Sequence, residues 1–461
     1  MFKAEIYINR RKKLMQQMKS GVLLFLGNEE SPMNYTANPY RFRQDSTFLY
    51  YWGLDEPGLL AVIDVDAGRE MIFGYDFTVD DIVWMGPQPS LKTRVKKAGV
   101  KESFDVQKVE DVLSTAIKAK REIHYLPQYR AENVIKIEKL LGIHPRLVNE
   151  YSSVKFIKAV VAQRSIKSRE EIKEIEFALD ISYAMHTYAM QNVKPGKVER
   201  EIASALEGIA NSMGNGLSFP IIFSIHGETL HNHYHGNIMK KGNLVVNDSG
   251  AESLMHYASD ITRTIPVSGK FTTQQKEIYQ IVLQANTQAI KAMRPGVKFK
   301  SIHLLAAKII ASGLKEFGFL KGDVDQIVKE GAHALFFPHG LGHMLGLDVH
   351  DMENLGEQYI GYDEKTVRSK QFGLAYLRMA KELRPGHVMT VEPGIYFIPQ
   401  LIDLWRSQKK FTQYINYPIV EKYRQFGGIR IEDNVLVTVD GHQVLGKPIP
   451  KTVADIESMM K

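Results

Sequence analysis

One stretch of this chain is written twice. Gly242-Asn-Leu-Val-Val-Asn-Asp248 and Gly386-His-Val-Met-Thr-Val-Glu392 each lead from a turn glycine along an apolar strand to a carboxylate. Before each copy, a helical stretch stops at a basic residue followed by Pro-Gly, at Lys194-Pro195-Gly196 and at Arg294-Pro295-Gly296, and a second helical stretch follows. A proline followed by a glycine strongly disfavours continuing a helix, so both pairs end one. After each copy comes another strand with an acid: Asp260 in Ala258-Ser-Asp-Ile-Thr-Arg-Thr-Ile-Pro and Glu432 in Ile429-Arg-Ile-Glu-Asp-Asn. A duplicated half-fold brings these four acids together across a pseudo-two-fold axis. Any one of them alone reads as a hydrogen-bonded structural acid; the repetition argues against that reading for the set.

Burying four carboxylates without compensation is prohibitive, because even one unpaired buried carboxylate costs several kcal/mol. Two divalent cations balance four acids in formal charge. The chain has no cysteine, so a metal must be held by His, Asp or Glu, and disulfides, thiolate zinc and a cysteine nucleophile are excluded. Such an oxygen-rich set with one imidazole suits manganese or another first-row divalent ion. The candidate imidazoles lie in His339-Gly-Leu-Gly-His343-Met-Leu-Gly-Leu-Asp-Val-His350. The spacing of His339 and His343 resembles the helical pair of zinc peptidases, but Gly340, Gly342 and Gly346 predict an irregular segment with close backbone approach.

At 461 residues the chain exceeds one hydrophobic core, and two domains are expected. Between about residues 20 and 150, short apolar runs such as Val22–Leu26 and Leu59–Val65 alternate with polar, partly helical stretches, as in an α/β domain. A Ser168-x-x-Glu171 capping box then opens an amphipathic helix with Ile172, Ile175, Leu179 and Tyr183 on one face. The expected division is therefore 1–160 and 161–461. The net charge of +7 is small for this length, and Arg10-Arg11-Lys12-Lys13 reads as a solvated helix face rather than a nucleic-acid contact. Val22–Leu26 is far too short to span a bilayer, so no membrane partner and a cytoplasmic location are expected.

Asp248-Ser-Gly-Ala-Glu, Ser259-Asp260-Ile-Thr-Arg-Thr, His339-Gly-Leu-Gly-His343, Thr390-Val-Glu392-Pro-Gly-Ile-Tyr396 and Ile429-Arg430-Ile-Glu432-Asp resemble, in order, the motifs of the pita-bread metallopeptidases, specifically aminopeptidase P and prolidase. The resemblance covers about 165–461, and Arg41-Phe-Arg-Gln-Asp-Ser-Thr-Phe-Leu-Tyr-Tyr with Glu56-Pro-Gly extends it into the N-terminal domain of that family. It implies an α+β protein: a C-terminal pita-bread (creatinase/aminopeptidase) catalytic domain preceded by a smaller α/β N-terminal domain. It further implies two divalent metal ions, expected to be Mn2+, held by Asp248, Asp260, His343, Glu392 and Glu432, with Asp260 and Glu432 bridging. Asp248 would complete one site, and His343 and Glu392 the other. Glu392 would also shuttle a proton, and His231, His339 and His350 would stabilise the tetrahedral intermediate and the proline-side carbonyl. His233 and His235 crowd the loop of His231 and compete for its assignment.

The implied substrates are peptides with proline in second position, and the implied assembly is a homodimer. Proline has no N–H and a fixed ring, so its recognition calls for a shaped apolar pocket. Arg430, two residues before Glu432, is expected on the same strand face, to orient the acids, bind substrate or clamp Glu432. The interval between Asp248 and Asp260 is one residue longer than the family pattern, which a one-residue bulge in the hairpin would absorb. Chain-length preference is divided. The Arg-Gln-Asp-Ser motif favours aminopeptidase P, whereas Ser369 to Arg384 and the insert Pro399 to Phe426 resemble prolidase, in which an arginine at the position of Arg378 receives the dipeptide carboxylate. Arg378 is expected on a helical run, Phe372 to Leu383, where a surface arginine is the plain alternative. The expectation is an Xaa-Pro aminopeptidase that also takes dipeptides. A dipeptide-restricted prolidase is the alternative, and a metal-free binding module of the same fold is the reading from a different class. Creatinase-like hydrolysis is disfavoured because all five ligands are present, and methionine aminopeptidase normally lacks so large an N-terminal domain.

Overall fold

The computed structural model describes residues 1–461, which divide into two units, Met1–Arg164 with Met352–Tyr359, and Ser165–Asp351 with Ile360–Lys461. The short segment Met352–Tyr359, after His350, groups with the N-terminal unit. No helix is long and apolar enough to cross a membrane.

The N-terminal unit is built on a five-stranded mixed sheet. Its strands are β1 (Val22–Leu26), β2 (Leu60–Asp64), β3 (Arg69–Gly74), β4 (Glu102–Asp105) and β5 (Ile123–His124), in the order β4-β3-β2-β1-β5. All five residues of β1 are buried, which is why it reads as an unbroken apolar run rather than an alternating one. Val22, Leu24, Val62 and Met71 share a core with Leu113 of the helix Lys108–Lys118. The Arg-Gln-Asp-Ser motif is structural here. Asp45 caps the helix Ser46–Trp52, accepting from Phe48 N–H at 2.9 Å. Gln44 accepts from Asn28 N–H and donates to the Glu56 carbonyl, so the two N-terminal motifs meet.

The basic run is not a solvated face. Arg10 donates to the Tyr50 carbonyl and stacks on the Tyr50 ring at 3.9 Å. Arg11 is fully buried, donates to the carbonyls of Tyr51 and Ala98, and pairs with Glu70 at 2.9 Å. Only Lys12 and Lys13 remain exposed. The sequence shows charge, but which side of a helix meets neighbouring carbonyls is decided by packing.

In the second unit the duplication is visible bond by bond. The helices Arg169–Asn192 and Thr273–Ala292 open with capping boxes, at Ser168 with Glu171 and at Thr272 with Gln275. The first turns its face through Ile175, Leu179, Met185 and His186 into the core, leaving Ile172 and Tyr183 half-buried at its margin. After the helices, Gly196 N–H donates to the Met239 carbonyl and Gly296 N–H to the Leu383 carbonyl. Three residues beyond each acceptor, Gly242 and Gly386 both turn at φ 91. That left-handed conformation is open to glycine at little cost.

The strands that follow are β6 (Ile222–Ser224), β7 (Leu244–Ser249), β8 (Ile261–Pro266), β9 (Val388–Val391), β10 (Gly394–Tyr396), β11 (Gly428–Arg430), β12 (Asp433–Val437) and β13 (His442–Val444). They form the sheets β6-β7-β8 and β13-β12-β9 and the ribbon β10-β11. No bulge interrupts the β7–β8 hairpin. Asp248 pairs with Thr262, Ser249 with Ile261 and, beyond the strands, Glu252 with Ala258 in one continuous register. The interval is taken up by the turn, where His256 adopts φ 65. Asp260 lies two residues before the partner of Asp248, so both acids emerge on one face.

Candidate metal centre

The four acids do converge. Asp260, His343 and Glu432 present ligand atoms that all lie within 4.8 Å of one another. His343 Nε2 stands 3.3 Å from Asp260 Oδ2 and 3.6 Å from Glu392 Oε1. His343 Nδ1 donates to the Met344 carbonyl at 3.0 Å, which fixes the tautomer and leaves Nε2 as a lone pair facing the acids.

The histidine segment is not helical. It runs as an added edge against β9, with Thr390 N–H donating to the His343 carbonyl and Glu392 N–H to the Leu341 carbonyl. Gly342 is required there, because a Cβ would stand 2.0 Å from the Thr390 carbonyl oxygen. A Cβ on Gly340 would meet Leu377 Cα at 2.8 Å. Lys167 and Asp351, both buried, pair at 2.7 Å beside Gly346 and tie down the end of the segment.

Whether these residues fit metal is answered by three atoms. Asp248 Oδ1, Asp260 Oδ1 and Glu432 Oε1 are buried and have no hydrogen-bond partner. One orphaned carboxylate oxygen is already rare in a folded protein. Three in one cluster are the signature of a site whose remaining bonds go to cations. Electrostatics agree: burial, then the Asp248 charge, raises Asp260 well above the carboxylate range. Burial, then the Asp260 charge, raises Glu432 likewise. Glu392 is pushed up to about 7 by burial, against the opposing pull of His343. The donor set is charge-deficient without metal and suits two divalent ions.

The surrounding residues fall into two groups. Arg430 is buried and donates to Asp248 Oδ2 at 2.5 Å, to Tyr396 Oη at 2.8 Å and to Thr262 Oγ1 at 3.2 Å. It therefore clamps Asp248 rather than Glu432, and Thr262 takes Glu432, donating to Oε2 at 2.7 Å. His339 donates from Nδ1 to the Gly340 carbonyl, and its Nε2 accepts from Tyr396 Oη at 2.9 Å. Both ring nitrogens are thus engaged in this structure. Burial, reinforced by Arg430, holds its pKa down at about 3, so the ring is neutral. Tyr396 is pushed up to about 12, chiefly by burial.

His231 keeps a solvent-facing edge, yet the protein around it and then the Arg430 charge lower its pKa; Asp248 and His350 also act on it. His233 and His235 approach the Ile221 carbonyl instead, at 3.5 and 3.1 Å. His350 stacks edge-on against His343 with ring centroids 4.4 Å apart.

Arg378 does not lie on a helix. Only a short 3-10 turn, Leu374–Tyr376, forms in the predicted run, because Gly373 at φ 83 breaks it. The side chain is half-buried, and its charge lowers the pKa of His343, where burial is the largest cause. Tyr396, Thr262 and Asn434 were missed as site residues. Thr262 and Asn434 each stand two positions after an acid, on the same strand face, and that spacing was the available signal.

A buried, duplicated acid cluster with one imidazole defines a dinuclear hydrolase centre of metallopeptidase type. Residues 173–439 match metallopeptidase family M24, and residues 7–125 match the aminopeptidase P N-terminal domain. The chain belongs to family M24, with an N-terminal domain of aminopeptidase P type. It is 34% identical to a human Xaa-Pro dipeptidase over 453 residues, 95% of this chain and 88% of the relative. It is also 34% identical to a probable Xaa-Pro aminopeptidase of Botryotinia fuckeliana over 433 residues, 91% of this chain and 87% of that one. The structure superposes on Pseudomonas aeruginosa aminopeptidase PepP with TM-score 0.81 at 28% identity, covering 100% of this chain and 98% of that one. The same figures hold for zinc-substituted Escherichia coli aminopeptidase P in complex with product. The protein is a metal-dependent peptidase with an α+β, two-domain architecture.

Proposed function

We propose that this chain is an Xaa-Pro aminopeptidase, hydrolysing the bond between an N-terminal residue and a proline in second position. The observation that carries the reading is the set of three orphaned carboxylate oxygens, on Asp248, Asp260 and Glu432, in the cluster that also holds His343, which calls for cations in a chain whose relatives are named for Xaa-Pro bonds. Asp248, Asp260, His343, Glu392 and Glu432 would hold two divalent ions, which when bound would supply Lewis acidity and a hydroxide nucleophile at neutral pH. Manganese is the proposed metal, on the hardness of the donor set.

The chain's own groups do the rest. Glu392 would accept the proton of the nucleophile and return it to the departing proline nitrogen. His231 is the histidine assigned to donate to the tetrahedral intermediate, with His350 on the His343 side. Arg430 and Tyr396 orient Asp248 and hold His339 neutral.

A dipeptidase reading is favoured by the position of Arg378, directly after Leu377, whose Cα lies against Gly340 of the histidine segment, and by the effect of its charge on His343. On this reading Arg378 receives the free carboxylate of an Xaa-Pro dipeptide. A homodimer belongs to the proposal: the helix Val79–Met85 buries none of its residues and exposes Val83 and Trp84, apolar surface that a second copy would cover. A cytoplasmic place of action is likewise proposed.

The test uses metal-stripped protein reloaded with manganese, on a Xaa-Pro dipeptide and the same sequence extended by several residues. Cleavage of both, abolished without metal, establishes the aminopeptidase; cleavage of the dipeptide alone makes the protein a prolidase. No cleavage of either by the loaded protein defeats the proposal, and a stripped protein that takes up no metal leaves the metal-free binding module.

A further inference from the structure

The two segments singled out as prolidase-like are joined in space. Trp405, on the helix Pro399–Ser407, packs edge-on against Phe372 with ring centroids 5.7 Å apart. Lys410 caps the pair, its Nζ lying 4.1 Å from the Trp405 ring and 5.9 Å from the Phe372 ring. Lys410 is itself tightly held. Its N–H donates to the Trp405 carbonyl at 2.9 Å, and its carbonyl accepts from Tyr417 Oη at 2.6 Å. Its neighbours Lys409 and Phe411 both adopt left-handed φ, 50 and 51, which non-glycine residues avoid unless their surroundings impose it. The turn is thus shaped around the lysine.

From Phe372 the chain runs six residues to Arg378, and its far end is pinned as well. Tyr362 Oη donates to the Leu377 carbonyl, and the bare α-carbon of Gly340 lets Tyr376 and Leu377 lie directly on the His339-Gly340 backbone. Arg378 is the next residue, half-buried, and its charge acts on His343. The loop is therefore fixed at two points, one beside the metal ligands and the other at Trp405.

We propose that the Phe372, Trp405 and Lys410 cluster is a positioning device for Arg378: it holds the loop so that the guanidinium meets a dipeptide carboxylate, and so sets chain-length preference from outside the site. This rests on the reading above in which Arg378 receives a dipeptide carboxylate, and beneath it on the proline-exopeptidase reading. Trp405 touches no substrate in this scheme; it acts through the loop. Aromatic and cation–π contacts of this kind are sensitive to geometry, so truncating the tryptophan frees the loop.

The experiment compares manganese-loaded wild type, Arg378→Ala, Trp405→Ala and Trp405→Phe on a Xaa-Pro dipeptide and on its C-terminal amide, which lacks the carboxylate. Arg378→Ala is expected to raise KM for the acid about tenfold or more and to leave KM for the amide unchanged. Trp405→Ala is expected to raise KM for the acid about fivefold, with kcat and the amide's KM within about twofold, and Trp405→Phe to restore most of the loss. Should Trp405→Ala fail to fold, Lys410→Met, which removes the cation and keeps the stem, carries the same expectation. If Arg378→Ala raises KM and neither cluster variant does, the cluster is packing alone and the inference is overturned. If Arg378→Ala itself has no effect on the acid, the carboxylate reading fails and the inference falls with it. A wild type that cleaves neither substrate overturns the proline-peptidase reading beneath both.

Discussion

Asn434 grips the backbone of Asp260 from both sides: Asp260 N–H donates to Asn434 Oδ1 at 3.1 Å, and Asn434 Nδ2 donates to the Asp260 carbonyl at 2.6 Å. Asp260 stands just before its strand begins, and the amide of Asn434 replaces the missing ladder. The gesture is returned, since Thr262 Oγ1 holds the carboxylate of Glu432. In each half, the residue two positions after an acid aims the acid of the other half. Asn434→Ala should therefore weaken metal binding by roughly 10- to 100-fold, the range for residues that orient ligands. Metal titration followed by calorimetry checks it. A loss of thermal stability in the metal-free protein with unchanged affinity would mean that Asn434 only packs.

Asp260→Asn and Glu432→Gln should abolish binding of at least one ion and yet raise the melting temperature of the metal-free protein. Both acids are raised by burial and by neighbouring carboxylates, so removing a charge relieves repulsion that metal normally offsets. Elemental analysis and thermal melts of stripped protein decide this. A lower melting temperature would show that the acids are satisfied without metal.

Metal affinity should climb with pH. Asp260 and Glu432 have raised pKa values and Glu392 is near 7, so the metal-free site carries protons at neutral pH that cations must displace. Lowering the pH strengthens proton competition, and affinity falls most steeply around and below pH 7. Calorimetry in buffers of different ionisation enthalpy should register proton release at pH 6.5; no release would place the acids already ionised.

His303 offers a stability test away from the centre. It is buried against Phe337, neither ring nitrogen has a partner, and burial lowers its pKa to about 3. Its folded pKa lies below the ordinary 6.5, so the unfolded chain binds the extra proton. Stability is fully present above pH 6.5 and is lost as pH falls from there toward 3, by up to about 1.4 kcal/mol per unit. His303→Leu should flatten that acid limb and stabilise the protein by about 1 kcal/mol at neutral pH, because an unsatisfied buried polar group disappears. Denaturant melts at pH 5 and 7.5 measure both effects; destabilisation at both would reveal a partner for the ring.

Much of this architecture was legible because duplication converts weak signals into a pattern. One Gly-led strand ending in an acid means little, but two, each preceded by a Pro-Gly helix stop, specify a sheet position and a face. The capping box at Ser168 was readable because its two reciprocal bonds are local. What stayed hidden depends on contacts distant in sequence. Arg11 looked solvated because the carbonyls it binds belong to Tyr51 and Ala98. For Arg430 the spacing left orienting the acids, binding substrate and clamping Glu432 all open, because the acid it holds is Asp248, 182 residues away. Nor did the sequence hint that Tyr396, 57 residues on, meets His339 Nε2.

The reciprocal aiming of Asp260 and Glu432 also orders events during synthesis. An emerging first half carries Asp248 and Asp260, but nothing yet fixes the backbone of Asp260, and Glu432 does not exist. A growing chain thus has no competent pair of binding sites until translation has passed Asn434, and ion capture becomes a checkpoint that only a finished, correctly docked polypeptide can pass.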